Sequence, residues 1–202
     1  MNDRIKEIID EIETMKVKLA EEIAQHEEHI SYEVKNGYVK FEKEIFDKQK
    51  ENMKDLFSWF AEIPFSHLLT SPVIYGMVIP AILLDIVLFG YQQIIFRVYK
   101  FEFLRRSDYI IFDRQYLGYL NAFEKLNCMY CSYFNGLMQY ASAIASRTEF
   151  YFCPIKHAKK IAYQHEYYDE FFSYGDAKEY QKKLKELRAR HTKSEDEHKK
   201  GV

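Results

Sequence analysis

Three cysteines and one histidine form the most specific chemical pattern in the chain. Cys128 and Cys131 make a C-x2-C pair, and after 21 intervening residues Cys153 and His157 make C-x3-H. Thiolates and an imidazole are ligands that tetrahedral zinc prefers, and four of them close the metal's shell, the usual state of a structural site. The same donors suit an iron–sulfur cluster or other redox-active iron, because ligand softness alone does not separate iron from zinc. Thioredoxin-type chemistry wants a βαβ setting that is missing here. Attachment of c-type haem wants histidine directly after the second cysteine, where Ser132 stands. Three cysteines cannot all pair with one another, so a reducing compartment suits them better than a secreted disulfide framework.

The elements that must position these residues read as helices. Tyr116, Leu117, Leu120, Phe123 and Leu126 make an apolar stripe that stops at Asn127, beside the first two cysteines. A second helix is expected over about residues 132–151, with Leu137, Tyr140 and Ile144 inside. Pro154 disfavours helical geometry at Cys153 and suits the first position of a new helix over residues 155–163. This predicts a helical hairpin clamped at one end by a metal. Cys153 would cap the new helix, where the N-terminus favours a thiolate, with His157 one turn later. Glu149 or Asn127 would hydrogen-bond the imidazole from outside the ligand set.

Between Phe65 and Phe96 the only formal charge is Asp85. Residues 73–96 alone, at about 1.5 Å per residue, are long enough to cross a hydrocarbon layer of about 30 Å. Trp59 and Phe60 before the segment, with Tyr99, Lys100, Arg105 and Arg106 after it, suit interfacial anchors. Pro72 and Pro80, with Gly76 and Gly90, interrupt the pattern. Three readings therefore stay open: a tilted single span, a re-entrant hairpin or in-plane insertion, and a buried core helix. Asp85 within such a segment must be paired, protonated, facing a polar cavity, or held near headgroups. A small transporter or channel subunit using Asp85 is one class this admits.

Charge divides the chain. Residues 1–62 carry 16 acidic and 10 basic side chains, and residues 97–202 carry 14 and 19. The basic half has no dense Lys/Arg stripe, so nucleic acid is not an expected partner. Ile5, Ile8, Ile12, Met15, Leu19 and Ile23 mark a helix with a coiled-coil-like seam, which offers a route to a homo-oligomer. His26 and His29 share a helical face with Glu22 and Glu33, which reads either as a second metal set or as an ion-paired, solvated face. Asn36-Gly37 breaks the pattern, and a charged helix is expected from about Tyr38 to Phe60. The sequence from Asp108 to Asp113 reads as extended, with helix as the alternative. From Asp176 a charged surface helix fades into a disordered end. The first residues show no secretory signal.

The wording FDRQYLGYLNAFEKLNCMYCSYFNG…RTEFYFCPIKHA, with SPVIYG and LLDI upstream, resembles a family of uncharacterised bacterial membrane-associated proteins of about this length. The resemblance implies membrane association, at the bacterial inner membrane, and no particular reaction. Together these readings predict an all-α protein: a charged helical region (1–62), a membrane segment (63–97), a helical metal-binding domain (98–175) and a charged helical tail (176–202). Its expected role is a membrane-anchored assembly or docking module. The cysteine-bearing half would face the cytoplasm, and membrane lipid and Zn²⁺ would be its first partners.

Overall fold

The computed structural model describes residues 3–27, 32–35, 38–41, 43–178 and 180–198, and it is mostly helical. The chain forms two compact units, Met1–Asp55 with Tyr116–Asn121, and Leu56–Gln115 with Ala122–Val202.

The first unit contains α1 (Asp3–Glu27), an antiparallel pair β1 (Tyr32–Lys35) and β2 (Tyr38–Phe41), and α2 (Lys43–Glu51). In α1 the seam residues Ile8, Ile12, Met15, Leu19 and Ile23 are all about half exposed or more. His29, and the side chains of His26 and Glu33, lie outside the described residues. The strands correct the expected helix from Tyr38. Tyr32–Lys35 and Tyr38–Phe41 flank Asn36-Gly37, the dipeptide with the strongest short-range hairpin preference, and the pairing sets Val34 opposite Val39. The stripe from Tyr116 also leaves helical geometry. Residues 116–121 belong to this unit, and the Gly118 N–H donates to Gln49 Oε1 at 2.9 Å.

The second unit opens with α3 (Leu56–Glu62), whose Trp59 stacks on Phe123 at 5.8 Å between centroids. Then come α4 (Phe65–Gly76), α5 (Val78–Tyr91), a π-helical turn over Gln92–Phe96 and the short α6 (Arg97–Tyr99). Met77 keeps right-handed dihedrals between α4 and α5, so Phe65–Tyr99 runs as one helix of 35 residues. A re-entrant hairpin bent at Pro80 is not formed. Pro80 sits in the first turn of α5, where a missing N–H costs little. Pro72 lies inside α4 and cannot bond the Leu68 carbonyl, but the Ser71 hydroxyl donates to that oxygen at 2.8 Å. Hydroxyls satisfy freed carbonyls in this way in apolar surroundings.

The helix stops at Lys100, which adopts left-handed dihedrals (φ 59°), and the Phe101 N–H closes on the Phe96 carbonyl at 2.8 Å. Phe96 and Phe101 are both buried, so the reversal carries an aromatic pair into the core. An irregular stretch leads through Ile110 to α7 (Ala122–Phe152), a continuous helix of 31 residues. Leu137, Tyr140 and Ile144 are buried where their spacing placed them, against Ala81, Phe96, Phe101 and Ile110. Residues 108–113 form no strand. The chain instead passes over Gly136, where an added Cβ would come within 2.5 Å of the Tyr109 carbonyl oxygen and 2.9 Å of Ile110 Cα.

After α7 the backbone is irregular, and residues 155–163 form no helix, contrary to expectation. Pro154 is buried instead, its carbonyl accepts from the Phe172 N–H, and Ile155 makes a parallel bridge to Phe172. The expected charged tail helix forms, but its expected solvation is corrected. In α8 (Tyr180–His198), Leu184 and Leu187 are buried, and Arg188 Nε donates to the Tyr151 carbonyl at 2.8 Å.

The contact at Gly136 involves backbone that cannot step aside cheaply. Gly136→Ala is expected to destabilise the second unit by about 1–3 kcal/mol, as overpacking does. Thermal unfolding of the purified chain in detergent checks this, and an unchanged midpoint would show that the loop yields.

Candidate functional site

The long apolar helix has two unlike faces. Ala81, Leu84, Leu88 and Gln92 pack toward α7. Their spacing of three and four puts them on one side of α5. Ile79, Leu83, Ile86 and Val87 point away, 75%, 64%, 63% and 57% exposed. Phe65, Leu68 and Leu69 continue an exposed apolar surface along α4.

Polar groups on the inner side tie the helix to its neighbours. Gln92, buried among apolar residues, donates from Nε2 to the Leu104 carbonyl at 3.0 Å and accepts at Oε1 from the Tyr140 hydroxyl. Nearer α4, the Tyr130 hydroxyl donates to the Ile74 carbonyl at 2.8 Å, and the Tyr75 hydroxyl bonds Asn127 Oδ1.

Asp85 stands on this inner side, its side chain 16% exposed. Arg106 Nε donates to Asp85 Oδ1 at 3.0 Å and Nη2 to Oδ2 at 2.5 Å, a two-point grip, and the Tyr133 hydroxyl donates to Oδ2 at 3.1 Å. The guanidinium also lies over the Tyr133 ring at 5.8 Å. The carboxylate is thus paired, and the ion pair staples α5 to the segment after it and to α7. Charge-assisted bonds of this kind contribute about 1.5–3 kcal/mol when sheltered. Arg106 is 46% exposed, which places this one toward the lower end.

The four expected metal ligands are not gathered. Cys128 and Cys131 sit one turn apart inside α7, with no turn at Asn127, and Cys153 follows the far end of the same helix. Cys131 and Cys153 are 22 positions apart, about 33 Å at a rise of ~1.5 Å per residue. A zinc ion with bonds of about 2.3 Å cannot bridge that distance. All three cysteines are free, and among the described residues no group of three or more His, Cys, Asp or Glu side chains is arranged to hold a metal ion. The expected hairpin fails for a local reason. C-x2-C matches one helical turn as well as a metal knuckle, and no Gly or Pro interrupts α7 there. Asn127 bonds Tyr75, and Glu149 faces His165, so neither serves His157. The His157 backbone N–H donates to the Tyr168 hydroxyl at 2.8 Å.

A second polar cluster joins the end of α7 to the following loop. Arg147 Nη1 meets Glu166 Oε1 at 3.0 Å, His165 Nε2 meets Glu149 Oε2 at 3.2 Å, and His165 Nδ1 accepts from the Tyr167 N–H. The latter bond places the imidazole proton on Nε2, aimed at Glu149. Tyr167 packs against Phe150 and beneath Arg147, and burial pushes its hydroxyl up to about 12, so it stays neutral. An open groove of about 510 Å³ beside this cluster is lined by Tyr109, Ser142, Ser146, Tyr163, His165 and Glu166. Nothing in the reading of the cysteines pointed here. The aromatic and acidic run around His165 was the available signal.

The chain matches no family model, no curated protein and no solved structure at a significant level.

The staple makes a quantitative expectation. Arg106→Ala should cost about 1–2 kcal/mol and Tyr133→Phe about 0.5–1.5. Combining Arg106→Ala with Asp85→Asn should cost less than the sum, because one interaction is removed once. Denaturant unfolding of the wild type, the Arg106→Ala and Asp85→Asn single variants and their double variant reads the coupling, and strict additivity would mean that the pair contributes nothing.

Proposed function

We propose that this is a membrane-anchored protein whose long apolar helix inserts into lipid and holds the rest of the chain there as an assembly or docking module. The observation that carries the reading is the outward face of Phe65–Tyr99. Its most apolar 18-residue stretch has a mean hydropathy of 2.3, yet only 6% of that stretch is buried in the protein. A helix that is apolar all round and serves as a soluble core would be covered. Each exposed Ile, Leu or Phe would gain about 1–2 kcal/mol on leaving water, so six of them amount to on the order of 10 kcal/mol, comparable to the stability of a whole domain. Arg97 and Lys100, exposed at the end of the helix, supply attraction to anionic headgroups.

Other roles draw less support. The zinc and iron–sulfur readings need donors that one chain keeps apart, so they require a metal shared between copies. The transporter reading needs a free carboxylate, and Asp85 is already gripped by Arg106 and Tyr133. The half-exposed seam of α1 supports pairing of copies, which would multiply the lipid anchors.

Flotation with vesicles containing anionic lipid tests the reading. The wild-type chain should float, and the double variant Leu83→Asp with Ile86→Asp should lose at least tenfold in bound fraction while keeping its helical circular dichroism. Cys131→Ser should float like the wild type. A wild-type chain that stays in the soluble fraction without detergent would overturn the proposal. Metal analysis of the reduced monomeric chain is expected to find no stoichiometric zinc, and one zinc per monomer would reinstate the four-ligand site.

A further inference from the structure

Accepting the membrane reading above, we infer that the anchor lies in the plane of one leaflet instead of crossing the bilayer. The inference rests on what runs beside the helix. Contacts between the helices rise together along both chains: Tyr75 with Asn127, Asp85 with Tyr133, Gln92 with Tyr140, Tyr99 with Tyr151. The helices α5 and α7 are therefore parallel over most of their length. A parallel pair needs a connection that returns the whole way, and the structure shows its path. After the reversal at Lys100, Leu104 lies at Gln92 and the Arg106 side chain reaches Asp85, so the chain turns back along the helix, residues 101–105 irregular and Arg106–Asp108 in a short 3-10 turn.

Asp85 is near the midpoint of the apolar run 73–96. In a spanning pose the return segment would therefore sit at the bilayer centre with its charges. Asp85 and Arg106 are paired, and Arg105 and Asp108 beside them form a loose ion pair at 3.8 Å, but those two side chains are 85% and 60% exposed, so in a spanning pose the couple would face lipid. Each charge at the centre costs at least about 2.5–3.5 kcal/mol. Lipid-exposed irregular backbone does not occur in the hydrocarbon region at all. The uncharged run of α7 between Lys125 and Arg147 does not rescue the pose, because Cys131, Asn135 and Gln139 are among its exposed positions.

Lying flat removes the conflict. The outward stripe of Phe65, Leu68, Leu69, Ile79, Leu83 and Ile86 enters the acyl region. Asp85, Arg106 and α7, on the opposite side of α5, stay at the headgroups and in water. The occupant of the apolar face is then a single lipid leaflet, and both ends of the long helix lie on the same side of the membrane.

The test uses the full-length chain in bacterial cells, with one thiol reporting each end. Ser58→Cys, with all three native cysteines replaced by serine, reports the α3 end. Cys153, with Cys128→Ser and Cys131→Ser, reports the other. A membrane-impermeant maleimide is added to spheroplasts and to inverted inner-membrane vesicles, and denatured samples define full labelling. Both thiols should react from the same side, that of the inverted vesicles, and neither in spheroplasts. Labelling of the two ends from opposite sides would overturn the in-plane pose while leaving membrane attachment intact. Recovery of the chain in the soluble fraction as an oligomer, its apolar faces against a second copy, would overturn the membrane reading itself.

Discussion

The structure of the second unit depends on α5 being covered on one side only. Its inner face is sealed by α7 through Leu137, Tyr140 and Ile144, by the buried Phe96–Phe101 pair, and by the close passage of the chain over Gly136. Polar groups on that face, Asp85 and Gln92, are each satisfied by a neighbour. The outer face has no such cover, and its side chains are too apolar to be left in water at low cost. Everything proposed about function follows from that asymmetry.

The asymmetry also orders the polar features. A carboxylate in the middle of an apolar helix invites a proton or ion pathway. Here the carboxylate lies on the inner side of the helix and is held by two partners. Arg106 arrives from the return segment and Tyr133 from α7, so the charge marks the boundary between the packed face of the helix and its exposed face. The ionic grip, the buried glutamine and the aromatic reversal after Tyr99 together hold a helix whose outer half is largely exposed.

Much of this was legible in the residues. The charge-free run with one aspartate identifies the long helix, because hydropathy over that length has few other uses. The spacing of Leu137, Tyr140 and Ile144 identifies the core side of α7, and Pro154 correctly ends that helix. What misled were signals with two physical meanings. C-x2-C is one helical turn or a metal knuckle, and only the tertiary path chooses. Asn127 reads as the stop of one helix and Pro154 as the first position of another, whereas Asn127 lies within a continuous helix. Pro154 follows a helix end without starting another. At Asn36-Gly37 the alternation of YEVK and YVKF favours strands, while the charged residues around it favour helix, and the strands form. Gly136 and His165 could not be singled out in advance, because their roles come from segments distant in sequence.

The most direct measurement is the depth of the long helix in a bilayer. Single tryptophans placed by Ile79→Trp, Ile86→Trp and Ile94→Trp, each in a Trp59→Phe background, can be located by quenching with lipids brominated at different acyl positions. The account predicts one shallow depth shared by all three. A depth that changes steadily from Ile79 to Ile94 through the bilayer centre would contradict it.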